Sequence, residues 1–197
     1  MNGNIKTHNN VLLEDEFKNI KNFAQHIAEF KDYYVSDKHF YLAQAPEDFV
    51  NLITTHLNAF HDTEIQVVQP FLRMATERLD ADWRIHCDRH VGTEILPTNA
   101  LVYYITENNT FKNGTAFWKH KEIGHFMPEQ FTDKQKDDVL RFDSNNINQW
   151  ELQDVVQGVE NTMVTYPCEY FHSKYPRQAW GTSPKDCRLV FIMFYKL

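Results

Sequence analysis

The chain has 197 residues, enough for one domain with a sizeable core, and its 42% hydrophobic and 14% aromatic content belongs to a folded protein, not a disordered one. A formal net charge of −7 disfavours recognition driven by phosphate charge, so nucleic acid is not the expected partner. The three cysteines, Cys87, Cys168 and Cys187, have unrelated spacings, which argues against a disulfide framework and against a CxxC zinc knuckle.

The opening residues, Met1 to Lys6, lack the apolar run of a signal peptide, and no stretch approaches the ~20 apolar residues of a membrane span. A soluble, cytoplasmic protein with no membrane attachment is therefore expected. Over residues 13–30, Leu13, Phe17, Ile20, Ala24 and Ile27 recur at spacings of three and four, which predicts a helix with one apolar stripe. A second helix is predicted over 46–60, with Pro46 in its first turn and Phe49, Leu52, Ile53, Leu57 and Phe60 facing inward. Residues 64–79 are interrupted by Pro70 and read as a strand followed by a helix, or as one kinked helix.

From Trp83 the period changes. Residues 83–90 alternate as a strand does, and 100–106 are rich in β-branched and aromatic side chains. The polar stretch 107–114 ends in the turn signal Asn113-Gly114, and 115–118 read as the returning strand. Residues 119–154 are polar and poor in strand pattern. They read as a long insertion with one short helix near 133–140, a candidate substrate lid. Strand character resumes over 161–167, and 188–195 form a final apolar strand headed by Arg188. One domain is expected over 1–197, with helical support from 1–80 and a β-sandwich or jelly roll from 81–197.

The chemistry centres on His86-Cys87-Asp88. Residues two apart on a strand share a face, so an imidazole and a carboxylate converge on one point, while Cys87 points away into core. The spacing alone is weak in a chain with ten histidines; it gains weight from a distant third ligand, His172. Two histidines and one carboxylate leave coordination positions open, as a non-haem iron site requires. Arg188 enters an apolar strand, where a guanidinium needs an anion or a solvated strand end. A planar bidentate donor suits a carboxylate.

In order and approximate spacing over 83–195, these motifs resemble the 2-oxoglutarate/Fe(II)-dependent oxygenase superfamily, on its prolyl-hydroxylase-like side. The segments that carry the likeness are His86-Cys87-Asp88, Tyr104-Ile105-Thr106, Gly114-Thr115-Ala116-Phe117-Trp118, residues 161–167, His172 and Arg188-Leu189-Val190. The resemblance implies a mainly β fold with N-terminal helices, a double-stranded β-helix with metal at its open mouth. It implies His86, Asp88 and His172 as ligands of Fe(II), and Arg188 as partner of the far carboxylate of the cosubstrate 2-oxoglutarate. Tyr104 is the expected hydrogen-bonding partner of that carboxylate, with Tyr103 as the alternative, and Arg177 is the alternative cation. The implied reaction is an O2-dependent hydroxylation coupled to oxidative decarboxylation of 2-oxoglutarate, with ascorbate as a stimulant. The implied substrate is an amino-acid side chain, free or in a peptide or protein.

Other side chains carry blander readings. His90 shares the His86/Asp88 face and is expected at the mouth of the site, or exposed. His120 and His125 are surface histidines of the insertion that reach a substrate only if it folds over the site, and Cys187 is packed. Trp118, Trp150 and Trp180 line a cleft or belong to the core. Two rival functions remain at this stage: a cupin-like metal dioxygenase that uses no 2-oxoglutarate, and a catalytically silent binding domain on the same scaffold.

Overall fold

The computed structural model describes residues 4–35, 38–80, 84–88, 94–107, 113–178 and 180–197. Trp83 and His90 lie outside them.

The chain begins with a short edge strand, β1 (Lys6–Asn9), followed by helix α1 (Glu14–His26). Three acidic residues, Glu14, Asp15 and Glu16, occupy the positive end of α1, and Glu16 accepts the Leu13 N–H at 2.9 Å. The helix stops at His26, short of residue 30, because the Ile27 and Ala28 amides both turn back onto the Phe23 carbonyl before a strand begins. That strand is β2 (Lys31–Val35), paired with β3 (Lys38–Ala43). Helix α2 (Glu47–His61) follows, with Pro46 at its N-cap and Asp62 in the left-handed conformation closing it.

Residues predicted to contain a helix or a kink around Pro70 instead form one long strand, β4 (Gln66–Ala75). Its neighbour β3 covers only Leu72 to Met74, so β4 is an edge on that side at Pro70, where a missing N–H is tolerated. Strands β5 (Asn99–Tyr104), β6 (Gly114–His120), β7 (Trp150–Gln157), β8 (Thr162–Pro167), β9 (His172–Tyr175) and β10 (Arg188–Lys196) complete the fold. Residues 150–154, expected in the insertion, open β7 instead, and all but the bulged Gln153 pair with β6.

Two antiparallel sheets result, β1-β8-β5-β10-β4-β3-β2 and β7-β6-β9. Residues 84–88 add to the smaller sheet through a bridge between His86 and His172. The chain thus passes from β4 in the large sheet to 84–88 in the small one, back to β5, across to β6 and β7, back to β8, across to β9 and back to β10. This is the winding of a double-stranded β-helix, the mainly β fold backed by helices that was expected.

Parity along β10 divides the interior. Leu189, Phe191, Met193 and Tyr195 point to the helices, where they pack with Ile20, Phe49, Ile53 and Leu57. Val190, Ile192 and Phe194 point between the sheets, against Val102, Tyr104, Phe117, Val164 and Tyr166. A strand buried on both faces must be apolar throughout, which is why Arg188 at its head stands out. A third cluster covers the outer face of the small sheet. Met127 and Val139 from the insertion pack there on Ile85, Trp118, Trp150 and Phe171. The insertion carries helix α3 (Asp133–Asp138), capped by Thr132, and a π-helical turn (Val139–Asp143). Trp118 and Trp150 are core residues, their indole N–H groups donating to Ser173 Oγ at 3.0 Å and to the Asp143 carbonyl at 2.8 Å.

Candidate metal centre

Backbone pairing builds the site. The His86 amide donates to the His172 carbonyl at 3.0 Å, the His172 amide returns a bond to His86 at 2.8 Å, and the Asp88 amide donates to the Cys168 carbonyl at 2.7 Å. Two residues on, Asp88 shares the His86 face, while Cys87 packs beside Ile85 in the outer cluster. The imidazole of His86, the carboxylate of Asp88 and the imidazole of His172 then meet, one ligand atom from each lying within 4.8 Å of the others. Asp88 Oδ2 is 3.1 Å from His172 Nε2, and Asp88 Oδ1 is 3.6 Å from His86 Nε2.

Both rings are oriented by their other nitrogen. His86 Nδ1–H donates to the Arg84 carbonyl and His172 Nδ1–H to the Tyr170 carbonyl, each at 2.9 Å, so both Nε2 atoms face the shared point. The carboxylate thus lies between the two imidazoles, one oxygen towards each. Two imidazoles and one carboxylate are donor types that a non-haem iron site uses.

The electrostatics agree. Burial raises the Asp88 carboxyl, but the charge and hydrogen bond of His172, helped by His86, outweigh it and hold the group down at about 2. Burial lowers His172, and the Asp88 carboxylate reverses that and raises it. The same Asp88 carboxylate that favours a proton on His172 would favour a divalent cation in its place. Tyr166 is a partner the sequence did not reveal. Its buried hydroxyl donates to Asp88 Oδ2 at 3.3 Å and lies 3.2 Å from His172 Nε2. Its place six residues before His172, on a strand facing inward, was the available signal.

Arg188 is buried and faces the interior, its guanidinium carbon 5.9 Å from the Tyr104 ring centre. Its Nη2 donates to the Gly114 carbonyl across a long 3.4 Å, and its buried Nε has no partner among the described residues. Tyr104 points into the same space, its hydroxyl 2.7 Å from Thr115 Oγ1. Tyr103 lies on the opposite face of the large sheet, donating to Asn161 Oδ1 at 2.8 Å and packed edge-on against Phe49. Arg177 reaches the insertion instead, where its Nη2 donates to Asn145 at 3.1 Å.

Lys174 stands two residues beyond His172 on β9. Its ammonium donates to the Asp80 carbonyl at 2.6 Å and to Asp80 Oδ1 at 3.1 Å. Asp80 is fully buried and also pairs with both Arg73 Nε and Arg73 Nη2, the latter at 2.6 Å. Burial, with Arg73 and Arg188 nearby, pushes the Lys174 ammonium down to about 7 against the pull of Asp80.

A cavity of about 300 Å³ is lined by Phe117, Tyr170, His125, Gln153 and Asp154 among others. Phe117 links it to the centre, its ring centre 6.4 Å from that of His172. His125 thus lines this cavity from the insertion, whereas His120 is buried 3.3 Å from Asp143.

No family model and no curated protein matches the sequence. Solved structures do match its fold. The epimerase SnoN, in complex with Fe3+, alpha ketoglutarate and nogalamycin RO, aligns with a TM-score of 0.59 at 10% identity, over 98% of this chain and 78% of that one. HygX from Streptomyces hygroscopicus, with nickel and 2-oxoglutarate bound, aligns with a TM-score of 0.58 at 11% identity, over 98% and 82%. A Pseudomonas putida prolyl-4-hydroxylase aligns with a TM-score of 0.54 at 10% identity, over 98% and 93%. At these identities the likeness establishes the fold they share.

Proposed function

We propose that this chain is an Fe(II)- and 2-oxoglutarate-dependent oxygenase, with His86, Asp88 and His172 holding the metal and Arg188 with Tyr104 seating the far carboxylate of the keto acid. The observation that carries the reading is the meeting of those three ligand atoms within 4.8 Å, with both histidine Nε2 atoms aimed inward. Arg188 supports it independently, because a buried guanidinium with no carboxylate partner among the described residues, and with its Nε left over, calls for an anion. Folds alike to this one occur in proteins solved with 2-oxoglutarate.

Bound iron supplies oxygen activation coupled to decarboxylation of the keto acid. The chain's own residues do the rest. The Arg84 and Tyr170 carbonyls fix the histidine tautomers. Tyr166 steadies the Asp88 carboxylate, and the sandwich walls of Phe117, Tyr104 and Val190 exclude water.

For the substrate, we favour hydroxylation of an amino-acid side chain, free or in a peptide or protein, as on the prolyl-hydroxylase side of the superfamily. The cavity beside Phe117 is the place to receive it, with Asp154, Gln153 and His125 as polar contacts. The test is succinate formation from 2-oxoglutarate by the purified protein with Fe(II), O2 and ascorbate, without and then with candidate amino acids and peptides. Succinate that depends on His172 and Arg188 supports the reading. Iron and O2 chemistry that ignores 2-oxoglutarate would identify a cupin-like dioxygenase, and no turnover with any substrate would identify a silent scaffold.

A further inference from the structure

We infer that Lys174 is a second cation of the keto-acid seat, sharing the far carboxylate with Arg188 and setting the preference for a dicarboxylate; this deepens the function proposed above and rests on it.

The argument begins with strand geometry. His172 and Lys174 are two apart on β9, so their side chains leave the same face about 6.6–6.8 Å apart. The carbon chain of a five-carbon keto diacid, four bonds end to end, spans about 5 Å when extended. A keto diacid held beside His172 with its chain along β9 would bring its far carboxylate to the level of Lys174. In register, Lys174 is opposite Thr115 on β6, and Thr115 Oγ1 is 2.7 Å from the Tyr104 hydroxyl. Arg188 faces that Tyr104 ring and donates to the carbonyl of Gly114, the residue before Thr115. Tyr104, Thr115, Lys174 and Arg188 thus come from four strands of both sheets to one region between them.

Lys174 donates to Asp80, which also pairs with Arg73. Arg188 has no carboxylate within salt-bridge distance among the described residues, and its Nε is buried without a partner. A surface lysine would place its ammonium in water. Here the side chain is turned inward, with about a tenth of its surface exposed. Asp80 fixes the ammonium in place, which lowers the ordering needed when an anion arrives. A keto acid with an uncharged far end leaves the guanidinium unpaired and gains nothing from the ammonium, so the pair of cations discriminates by charge as well as by length.

The experiment is calorimetric titration of the Ni(II)-loaded protein, which binds without turning over, with 2-oxoglutarate and with 2-oxopentanoate, of equal length but lacking the far carboxylate. Lys174→Met should weaken 2-oxoglutarate about tenfold or more, leave 2-oxopentanoate and Ni(II) affinity nearly unchanged, and be largely rescued by Lys174→Arg. Equal 2-oxoglutarate affinity in Lys174→Met, with only a lowered melting temperature, would make Lys174 a structural partner of Asp80 and overturn the inference. Should Lys174→Met not fold, Arg188→Met answers the same question. With Lys174 intact it should still prefer 2-oxoglutarate several-fold, and complete loss of preference would overturn the inference. Failure of the unmodified protein to bind 2-oxoglutarate at all would instead defeat the function proposed above.

Discussion

His86 and His172, 86 residues apart in sequence, are joined by reciprocal main-chain hydrogen bonds of 3.0 and 2.8 Å, and their rings lie 4.4 Å apart. The two imidazoles meet because their peptide groups pair, not because their side chains attract each other. His86→Ala and His172→Ala should therefore keep the bridge and the fold while abolishing tight Fe(II) binding. The loss should exceed the roughly 10–100-fold that removal of an outer partner costs. Calorimetry with Fe(II) under nitrogen and far-ultraviolet circular dichroism check both halves. Unchanged iron affinity in either variant would remove that residue from the centre.

Tyr166 touches Asp88 and His172 at once, at 3.3 and 3.2 Å. Tyr166→Phe removes one hydroxyl from a buried site and should cost about 0.5–1.5 kcal/mol of stability. Its larger effect should fall on the metal, with Fe(II) affinity reduced roughly 10–100-fold because Asp88 loses a fixed donor. Urea unfolding and metal titration separate the two.

Arg188 and Arg177 were both open as the carboxylate partner, and the structure sends them to different places. Arg188 is buried beside Tyr104, whereas Arg177 reaches Asn145 on the insertion. Arg188→Met should raise the dissociation constant for 2-oxoglutarate at least about thirtyfold, since losing one side of a buried charged contact costs about 2 kcal/mol or more. Arg177→Ala should leave it unchanged. The reverse result would transfer the role to Arg177.

Gly114 supplies the carbonyl that receives Arg188, and it approaches β7 closely. A β-carbon there would lie 1.9 Å from the Val156 carbonyl oxygen, a main-chain atom that cannot swing aside. Gly114→Ala should separate β6 from β7 locally, costing about 1–3 kcal/mol, and should weaken 2-oxoglutarate by displacing the anchor of Arg188. Thermal unfolding with and without 2-oxoglutarate reads both effects.

The meeting of His86, Asp88 and His172 was legible because its signal is local. A two-residue spacing fixes a shared face wherever the backbone is extended, and it held although residues 84–88 pair only through one bridge. Arg188 was legible as a charge at the head of an apolar strand. Tyr166, Lys174 and Asp80 were not, because each depends on a partner distant in sequence: Lys174 meets Asp80 across 94 residues, and a lysine on a short polar strand reads as a surface residue. Strands β1 and β2 escaped for a related reason. They are edge strands with little apolar alternation, held by pairing with β8 and β3 and not by their own composition. The packing of the insertion was not legible, because Met127 and Val139 are isolated apolar residues whose purpose appears only against Trp118 and Phe171.

A test of the fold away from the metal comes from three histidines at the junction of β1 and α2. His8 is buried, with Nε2 3.3 Å from Thr165 Oγ1 and Nδ1 3.3 Å from His56 Nε2, and Phe60 packs edge-on against it. Burial first, then the neighbouring His56 and His61, pushes His8 down to about 4 from an ordinary 6.5, and burial lowers His56 and His61 as well. A histidine kept neutral in the folded state takes up its proton more readily when unfolded, so the unfolded chain binds more protons between those values. His8 therefore contributes its full stability above about pH 6.5 and loses it as pH falls towards 4. The ring keeps some contact with water, so the loss should be about 1–2 kcal/mol and not the full equivalent of the shift. His172, raised by Asp88, works in the opposite direction over part of this range, so the readout must be a difference. The urea unfolding free energy should fall from pH 7 to pH 5 by a larger amount in the unmodified protein than in His8→Asn. Parallel pH dependence in the two proteins would show that His8 is protonated without cost, and that β1 does not press it against α2 in solution.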